Sequence, residues 1–253
     1  MQRSATDEGV LLYAFTCGHI TLPTSYFISG EHGKTRVPAC VFLIDHPDGL
    51  ALFDTGFSDR FVGLENGLGK IVDMPAEHPV AERLRAMEID PASIDWIINS
   101  HLHLDHAGGN HMLPNATVIV QDSEWDFGFS GEDTAYATED FDTGQPIMRI
   151  NGEHDLYGDG SVILFPTPGH TPGHQSARVR TMTGEAVLAG DCCNFRRSLD
   201  EMRMPDQVYN ADHYRGSLSR LSQLRRAGAQ IFYGHDPDFW ATVPQAEALD
   251  LGA

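Results

Sequence analysis

Short apolar runs recur along the chain, and turns rich in glycine and proline separate them. Most of these runs contain β-branched and aromatic residues over only a few positions, which is typical of strands rather than helices. We predict strands at residues 10–15, 39–44, 50–53, 96–98, 117–120, 162–165, 177–179, 186–188 and 231–233. The chain is therefore expected to be built around β-sheet.

Two stretches carry apolar residues at helical spacing instead. The stronger has Asp212 as its predicted N-cap and ends near Gly228, because glycine commonly terminates helices. One face of this helix carries Tyr214, Leu218, Leu221 and Leu224. A second helix is predicted over residues 79–87, with Val80, Leu84 and Met87 on one side. Helices interspersed with strands indicate an α/β fold.

Length and composition fit one domain that spans residues 1–253. The chain has 253 residues, of which 41% are hydrophobic, and a mean hydropathy of −0.27, so it can bury a large core without disulfides. No internal repeat or linker interrupts the pattern. Residues 128–144 are acidic and poor in aliphatic side chains, which predicts an exposed loop of ordinary solvated surface.

The charge balance is strongly acidic, and this limits the partners. Lysine and arginine total 17 against 36 aspartates and glutamates, which gives a formal net charge of −19. No basic stripe stands out, so the backbone of a nucleic acid or an anionic membrane surface is repelled. We therefore expect a small, uncharged substrate and no nucleic-acid or membrane partner.

The N-terminal residues and the cysteines indicate a cytoplasmic protein. Residues 1–8 lack the apolar core of a signal peptide, and no apolar run approaches the length of a membrane span. Of the four cysteines, only Cys192 and Cys193 are close in sequence, and adjacent residues seldom form a disulfide. We expect reduced thiols that pack as small apolar side chains rather than bind metal.

Four side chains able to bind metal lie within six residues, directly after the predicted strand at 96–98. They are His101, His103, Asp105 and His106, and glycines at 108 and 109 follow them. Imidazole and carboxylate suit a borderline divalent cation such as zinc, and the absence of thiolates argues against a purely structural site. The cluster is too small to complete two coordination spheres, so further ligands are expected after other strands.

Three later turns supply candidates. His170 follows the predicted strand at 162–165, while Asp191 and His235 each follow a strand and a single glycine. The two oxygens of Asp191 can bridge two cations, although a turn aspartate is the alternative. His174 opens the next apolar stretch, so we expect it to lie behind the ligands and orient one of them.

The order of these residues resembles the metallo-β-lactamase superfamily, whose His-x-His-x-Asp-His motif is followed by a further His, Asp and His. Three segments narrow the resemblance to the quorum-quenching N-acyl-homoserine-lactone lactonases: LFDTG at 52–56, TPGHTPGHQS at 167–176 and YGHD at 233–236. The similarity extends from Leu11 to Trp240. It implies a single-domain αββα sandwich with the metals at one edge between the sheets.

The resemblance also implies a ligand set for two divalent cations, zinc first, although iron, manganese and cobalt suit the same donors. One cation is assigned to His101, His103 and His170, the other to Asp105, His106 and His235, with Asp191 between them. A hydroxide that bridges the cations is expected to attack the lactone carbonyl. Asp105 is then expected to pass a proton to the ring oxygen that leaves as an alkoxide.

Other positions are assigned more loosely. Asp54 is expected to orient a ligand histidine, with an ordinary turn residue as an equal alternative. Asn194 stands where these lactonases often carry tyrosine; its amide donates a hydrogen bond but no proton, and we expect it to contact the ester or amide carbonyl of the substrate. Tyr209 and Tyr214 are candidates to supply the missing hydroxyl.

An acyl chain needs an apolar channel, and Phe57 and Phe61 are the predicted contacts. Together with Val62, Leu64 and Leu68 they form an apolar, glycine-interrupted segment after Asp54. This segment is a candidate lid or a contact in a homodimer, and simple coverage of the core is an equal alternative.

Other functions in the same superfamily fit less well. A thioester hydrolase of the glyoxalase II type is the main alternative, but only 18 residues follow His235, whereas that enzyme has an additional helical region. A β-lactamase is expected to carry an export signal, a mononuclear dioxygenase needs fewer ligands, and a nuclease conflicts with the acidic charge. A metal-binding regulatory protein without catalysis belongs to a different class, and a site with an open position favours an enzyme.

Overall fold

Two mixed β-sheets form the centre of the molecule in a computed structural model, which describes residues 9–252. The strands are β1 (Leu11–Pro23), β2 (Lys34–His46), β3 (Gly49–Phe53), β4 (Val72–Asp73), β5 (Trp96–Ile98), β6 (Thr117–Gln121), β7 (Ile147–Ile150), β8 (His154–Asp155), β9 (Val162–Pro166), β10 (Gln175–Arg180), β11 (Glu185–Leu188) and β12 (Gln230–Phe232). The helices are α1 (Val80–Ala86), α2 (Asp122–Gly128), α3 (Thr138–Phe141), α4 (Arg196–Asp200), α5 (Ala211–Arg226) and α6 (Pro237–Trp240). None of the helices in the described part of the chain is both long and apolar enough to cross a membrane.

The strand order brings several strand ends to one edge. The first sheet has the order β4-β1-β2-β3-β5-β6-β7, and the second has the order β12-β11-β10-β9-β8. β3 and β5 are parallel neighbours in the first sheet, and β11 and β12 are parallel neighbours in the second. Because parallel neighbours end at the same edge, residues that directly follow them lie close together.

Side chains that alternate between the two faces of a strand build the hydrophobic layers on either side of the first sheet. In β2, Phe42 and Ile44 belong to a hydrophobic cluster that also contains Leu164 of the second sheet. Their neighbours Val41 and Leu43 face the other way and pack in a second cluster that includes α1. This period of two lets one strand contribute to two apolar layers.

The second sheet is covered by α5. Leu218 and Leu221 of this helix are fully buried in the cluster shared by the sheets. With α1 on the first sheet and α5 on the second, the layers are helix, sheet, sheet and helix. The predicted αββα sandwich is confirmed.

The helix and strand predictions are right in position and less accurate at the ends. The N-cap of α5 is Asn210 and not Asp212: the Asn210 side chain accepts hydrogen bonds from the backbone N–H groups of Asp212 and His213, both at 3.0 Å. Strands β4, β7 and β8 were missed because they are short or lack a clear apolar run. All four cysteines are buried and free, as predicted.

The prediction of an exposed loop over residues 128–144 is wrong for part of that segment. It contains α3, in which Phe141 is fully buried and packs against Gly128. The Asp140 carboxylate is also fully buried and pairs with the Arg60 guanidinium. Part of this acidic segment is therefore ordered by the buried Phe141 side chain and by the ion pair between Asp140 and Arg60.

Candidate metal centre and adjoining cavity

The predicted ligands meet where four strands end. His101, His103, Asp105 and His106 follow β5, His170 follows β9, Asp191 follows β11, and His235 follows β12. Among the described residues, three sets of donors each have their ligand atoms within 4.8 Å of one another: a first group of His101, His103 and His170, a second group of Asp105, His106 and His235, and a connecting set of His101, His106 and Asp191. The fold therefore brings together residues that are up to 134 positions apart in the sequence.

The first group consists of three imidazoles. The Nδ1 atom of His103 lies 3.0 Å from Nε2 of His101 and 3.2 Å from Nε2 of His170. One carboxylate oxygen of Asp191, Oδ2, lies 3.5 Å from the same His170 nitrogen.

The second group contains a carboxylate and two imidazoles. Oδ2 of Asp105 lies 3.7 Å from Nε2 of His106 and 3.6 Å from Nε2 of His235. The other oxygen of Asp191, Oδ1, lies 3.2 Å from the His106 nitrogen and 3.1 Å from the His235 nitrogen. Asp191 thus presents one oxygen to each group, which is the arrangement of a bridging carboxylate.

The outward nitrogens of three histidines are held by acceptors. Nδ1 of His106 donates to the Asp54 carboxylate at 2.8 Å, and Nδ1 of His235 donates to the Pro38 carbonyl at 2.8 Å. Nε2 of His103 lies 3.2 Å from the carboxylate of Asp133. Because carboxylates and carbonyls only accept hydrogen bonds, the ring proton sits on the outer nitrogen and a lone pair points inward.

These inward lone pairs fit divalent cations. Nε2 of His106 and Oδ1 of Asp191 are buried without a hydrogen-bond partner, which is costly unless a ligand satisfies them. In the first group, Nδ1 of His103 faces Nε2 of both His101 and His170 at 3.0 and 3.2 Å, so three imidazole nitrogens converge on one point. Nitrogen and oxygen donors of this kind suit zinc and similar ions, so the residues form metal-binding histidine and aspartate clusters.

Ionisation of Asp191 and His101 agrees with this role. Burial would raise the pKa of Asp191, but His235, His106 and His170 outweigh it and hold that pKa well below its usual value. Burial lowers the pKa of His101 well below its usual value. The carboxylate is therefore anionic and the imidazole neutral near pH 7, the forms that bind metal.

Asp54 makes the contacts expected of a residue that orients a ligand histidine. Besides accepting from His106, its carboxylate accepts hydrogen bonds from the backbone N–H of Ser100 at 2.7 Å and from its hydroxyl at 2.9 Å. Its φ of 61° lies in the left-handed region, which is uncommon for a residue with a side chain. The backbone is thus turned so that the carboxylate points at the metal-binding loop.

His174 lies behind Asp191. Its Nε2 accepts a hydrogen bond from the backbone N–H of Asp191 at 2.9 Å, and its Nδ1 is 2.9 Å from the Thr167 hydroxyl. Tyr214 completes this support, because its buried hydroxyl donates to the Asp191 carbonyl at 2.9 Å. The peptide groups on both sides of Asp191 are therefore fixed.

A cavity of about 560 Å³ opens above the metal-binding residues. Its walls are formed by Ile20, Leu22, Tyr26, Phe27, Leu104, Phe127, Val208 and Tyr209, together with the more polar Glu132, Asp133, Thr134, Ala135 and Gln207. His103, Asp105, His170, Asp191 and His235 form its floor. Neither lysine nor arginine lines it, so the cavity combines an apolar part of the wall with carboxylates on the wall and at the base.

Phe57 and Phe61 are not in the cavity wall, so the prediction that they contact substrate is wrong. Both side chains are buried in a hydrophobic cluster with Val37 and Met74, behind the wall residues Ile20 and Phe27, and their rings pack edge to face at 5.7 Å. Their function is to fill the space below the first sheet, which was the alternative interpretation. The aromatic residues at the cavity are Tyr26, Phe27, Phe127 and Tyr209, of which only Tyr209 was a candidate from the sequence.

Asn194 is also outside the cavity wall, which corrects its predicted contact with substrate. Its side chain is buried, and its amide nitrogen donates to the Phe27 carbonyl at 3.3 Å. Phe27 in turn packs edge-on against the His235 ring at 5.5 Å. Asn194 therefore supports a wall residue and a ligand instead of meeting the substrate.

Comparisons with known proteins identify the family of this chain. Residues 35–235 match the model of the metallo-beta-lactamase superfamily. An N-acyl homoserine lactonase, AttM, of Azorhizobium caulinodans is 33% identical over 235 residues, which cover 86% of this chain and 89% of that protein. The N-acyl homoserine lactonase AiiA of Bacillus thuringiensis subsp. kurstaki is 31% identical over 209 residues, which cover 79% of this chain and 82% of that protein.

A solved structure of a related protein has the same fold. It is a 1.4 Å structure of an N-acyl homoserine lactone hydrolase with the product N-hexanoyl-L-homoserine bound at the catalytic metal centre. The TM-score is 0.86 at 26% identity, and the match covers 94% of this chain and 98% of that chain. The chain belongs to the metallo-beta-lactamase superfamily, in the branch that contains the N-acyl homoserine lactonases.

Proposed function

We propose that this protein is a dinuclear-metal hydrolase that opens the lactone ring of N-acyl homoserine lactones. The observation that carries the proposal is the pair of donor groups joined by Asp191 at the floor of an apolar cavity. Relatives that share most of the chain are N-acyl homoserine lactonases, and one solved relative holds a ring-opened product at its metal centre.

The metal ligands are proposed as two sets that share one residue. His101, His103 and His170 hold one divalent cation, Asp105, His106 and His235 hold the other, and Asp191 contacts both. Two such cations, most simply zinc, supply Lewis acidity and lower the pKa of water from about 15.7 toward 7. The outer partners of His103, His106 and His235 orient these three imidazoles with a lone pair toward the metal-binding groups.

Asp105 is the proposed catalytic residue for the second half of the reaction. Water oxygen adds to the lactone carbonyl carbon, the ring C–O bond breaks, and a carboxylate and an alcohol form. The ring oxygen needs a proton as it leaves. The Asp105 carboxylate lines the cavity beside His106 and His235, so it is placed to receive the proton of water and pass it on.

The charge of the cavity favours a neutral substrate over the alternatives. Carboxylates of Glu132 and Asp133 line the wall, and no lysine or arginine accompanies them. A glutathione thioester and a cephalosporin both carry carboxylates, which this surface repels. An N-acyl lactone carries no charge, and its alkyl chain matches the apolar wall. A purely regulatory metal protein has no need of such a cavity.

Phe127 of α2 is expected to contact the acyl chain. Its ring lies in the cavity wall and packs edge-on against Tyr209 at 5.2 Å. Phe127→Ala is expected to raise KM for N-decanoyl-homoserine lactone about 5-fold to 30-fold, equivalent to about 1–2 kcal/mol of lost apolar contact. KM for the N-butanoyl lactone should change much less.

Steady-state kinetics over a series of acyl lengths measures this effect. Phe129→Ala is the matched control, because Phe129 directly follows the same helix but does not line the cavity. If Phe127→Ala changed KM equally for short-chain and long-chain lactones, the acyl chain would not contact Phe127.

A hydrolysis screen tests the proposed function as a whole. Protein of measured metal content is mixed with N-acyl homoserine lactones, simple γ-lactones, S-lactoylglutathione and a cephalosporin, and acid release is followed with a pH indicator. We expect turnover of the lactones, fastest with the N-acyl compounds. Turnover of the thioester alone would replace the proposal with the glyoxalase II type of reaction.

A further inference from the structure

Glu124 of α2 is a carboxylate with an unusual environment. The residue is fully buried, and no lysine, arginine or histidine is among its hydrogen-bond partners. A carboxylate taken out of water is costly unless several donors replace the water. In this protein the donors come from three separate segments of the chain.

Each carboxylate oxygen of Glu124 accepts from one backbone N–H and one hydroxyl. Oε1 accepts from the N–H of Leu102 at 3.1 Å and from the hydroxyl of Tyr136 at 2.6 Å. Oε2 accepts from the N–H of Gly173 at 3.1 Å and from the hydroxyl of Thr171 at 2.6 Å. The four donors satisfy both oxygens without an ion pair.

Two of the three segments carry metal-binding residues of the first group. Leu102 lies between His101 and His103, and Thr171 directly follows His170. Thus all three imidazoles of this group are next in sequence to a residue that Glu124 holds. None of the residues Asp105, His106 and His235 of the second group has such a neighbour.

The third segment carries the cavity wall. The Tyr136 ring packs edge-on against the His103 ring at 4.7 Å, and the backbones of these two residues form a β-bridge. Asp133, three positions earlier, binds the outer nitrogen of His103. Burial first, and Glu124 next, raise the pKa of Tyr136 above its usual value, so the hydroxyl remains a donor.

The backbone at Gly173 is packed so closely against α2 that no larger residue fits at this position. A Cβ atom at Gly173 would lie 2.2 Å from the backbone nitrogen of Glu124, so only glycine fits where this turn meets α2. The turn that follows His170 therefore lies directly against the helix that carries Glu124.

We propose that Glu124 is a positioning residue that sets the geometry of the first metal-binding group, His101, His103 and His170, and of the wall segment 132–136, independently of the second group. The inference rests on the proposed dinuclear centre. Glu124 touches neither substrate nor metal. It acts through the backbone and hydroxyl groups that it holds.

Glu124→Gln tests the proposal with little change of shape. Whichever oxygen becomes an NH₂ group then faces a backbone N–H, which cannot accept a hydrogen bond, so one of the three segments must move. We expect the affinity for one of the two cations to fall about 10-fold to 100-fold. The affinity for the other cation should stay within a factor of about three, far below a tenfold change.

The measurement is a competition titration of the metal-free protein with zinc and a chromophoric chelator, which resolves two dissociation constants without any substrate. Asp155→Asn is the matched control, because its carboxylate also accepts two backbone N–H groups, those of Gly158 at 3.0 Å and Gly160 at 2.8 Å, but adjoins no ligand. Thermal unfolding of each metal-free variant shows whether the fold persists.

Thr171→Val is the second variant, for use if Glu124→Gln does not fold. It removes a single hydroxyl donor, and we expect a several-fold loss of affinity at one cation only. Wild-type affinities for both cations in a folded variant would overturn the inference, and so would equal losses at both. A wild-type protein that binds fewer than two cations would contradict the proposed function itself.

Discussion

Asp191→Asn is expected to lower kcat/KM for N-hexanoyl-homoserine lactone about 10³-fold, which corresponds to several kcal/mol of lost transition-state stabilisation. The two carboxylate oxygens face different metal-binding groups, at 3.1 and 3.2 Å from His235 and His106 and at 3.5 Å from His170. An asparagine offers one neutral oxygen and an NH₂ group, so one group loses this ligand and neither keeps its negative charge.

The substitution leaves the surrounding backbone in place. The hydrogen bonds from Asp191 to His174 and from Tyr214 to Asp191 use the peptide N–H and C=O, which asparagine keeps. Activity and metal content of the purified variant are compared with those of Asp200→Asn, in which an exposed ion pair with Arg225 is lost. Near wild-type activity in Asp191→Asn with both cations retained would remove the bridging role.

Asp105→Asn is expected to lower kcat for the same lactone about 10²-fold to 10⁴-fold, with a smaller change in KM. The Asp105 side chain is 16% exposed and lines the cavity, which is the position that the proposed proton transfer from water to the ring oxygen requires. An amide cannot carry the proton between them. Loss of one anionic ligand also weakens metal binding, so the assay needs saturating metal.

A change of leaving group separates proton transfer from metal binding. In a thiolactone the leaving group is a thiol of pKa about 8.5, which departs as an anion without a proton. The fold-loss in Asp105→Asn should therefore be at least about tenfold smaller for N-acyl homocysteine thiolactone than for the lactone. Equal losses for the two substrates would assign Asp105 to metal binding alone.

The metal-binding residues could be predicted from the sequence because their pattern is local. Four of the donors lie within six positions after β5, and Asp191 and His235 each follow a strand and a glycine. Strands end at sheet edges, so residues directly after them converge whatever the rest of the chain does. The apolar runs indicated an α/β fold, and the resemblance to the metallo-β-lactamase superfamily supplied the αββα sandwich; β4, β7 and β8 were not predicted.

The cavity wall could not be predicted in the same way. Phe57 and Phe61 have the composition of a lid, but the strand partners of that region place them in a buried cluster. Phe27 and Phe127 line the cavity, yet neither lies in a motif, and only the meeting of distant segments brings them together. The choice among aromatic residues is decided by tertiary packing, which no local pattern encodes.

Glu124 illustrates the same limit for a polar residue. In the sequence it is one of three acidic residues in α2, and nothing distinguishes it from Asp122 or Asp126. In the structure those two aspartates pair with Arg149 at the surface, while Glu124 points inward and accepts four hydrogen bonds. The period of the helix places Glu124 on a different face from the two aspartates. It does not indicate which hydrogen-bond donors from other segments will surround that carboxylate.

Metal reconstitution tests the central claim most directly. Protein depleted of metal by a chelator receives zinc in steps from zero to about three equivalents per chain, and the initial rate of N-hexanoyl-homoserine lactone hydrolysis is recorded at each step. The account predicts no significant rate without metal and a rate that reaches its plateau at two equivalents. Full activity in the metal-free protein, or a plateau at one equivalent, would contradict it.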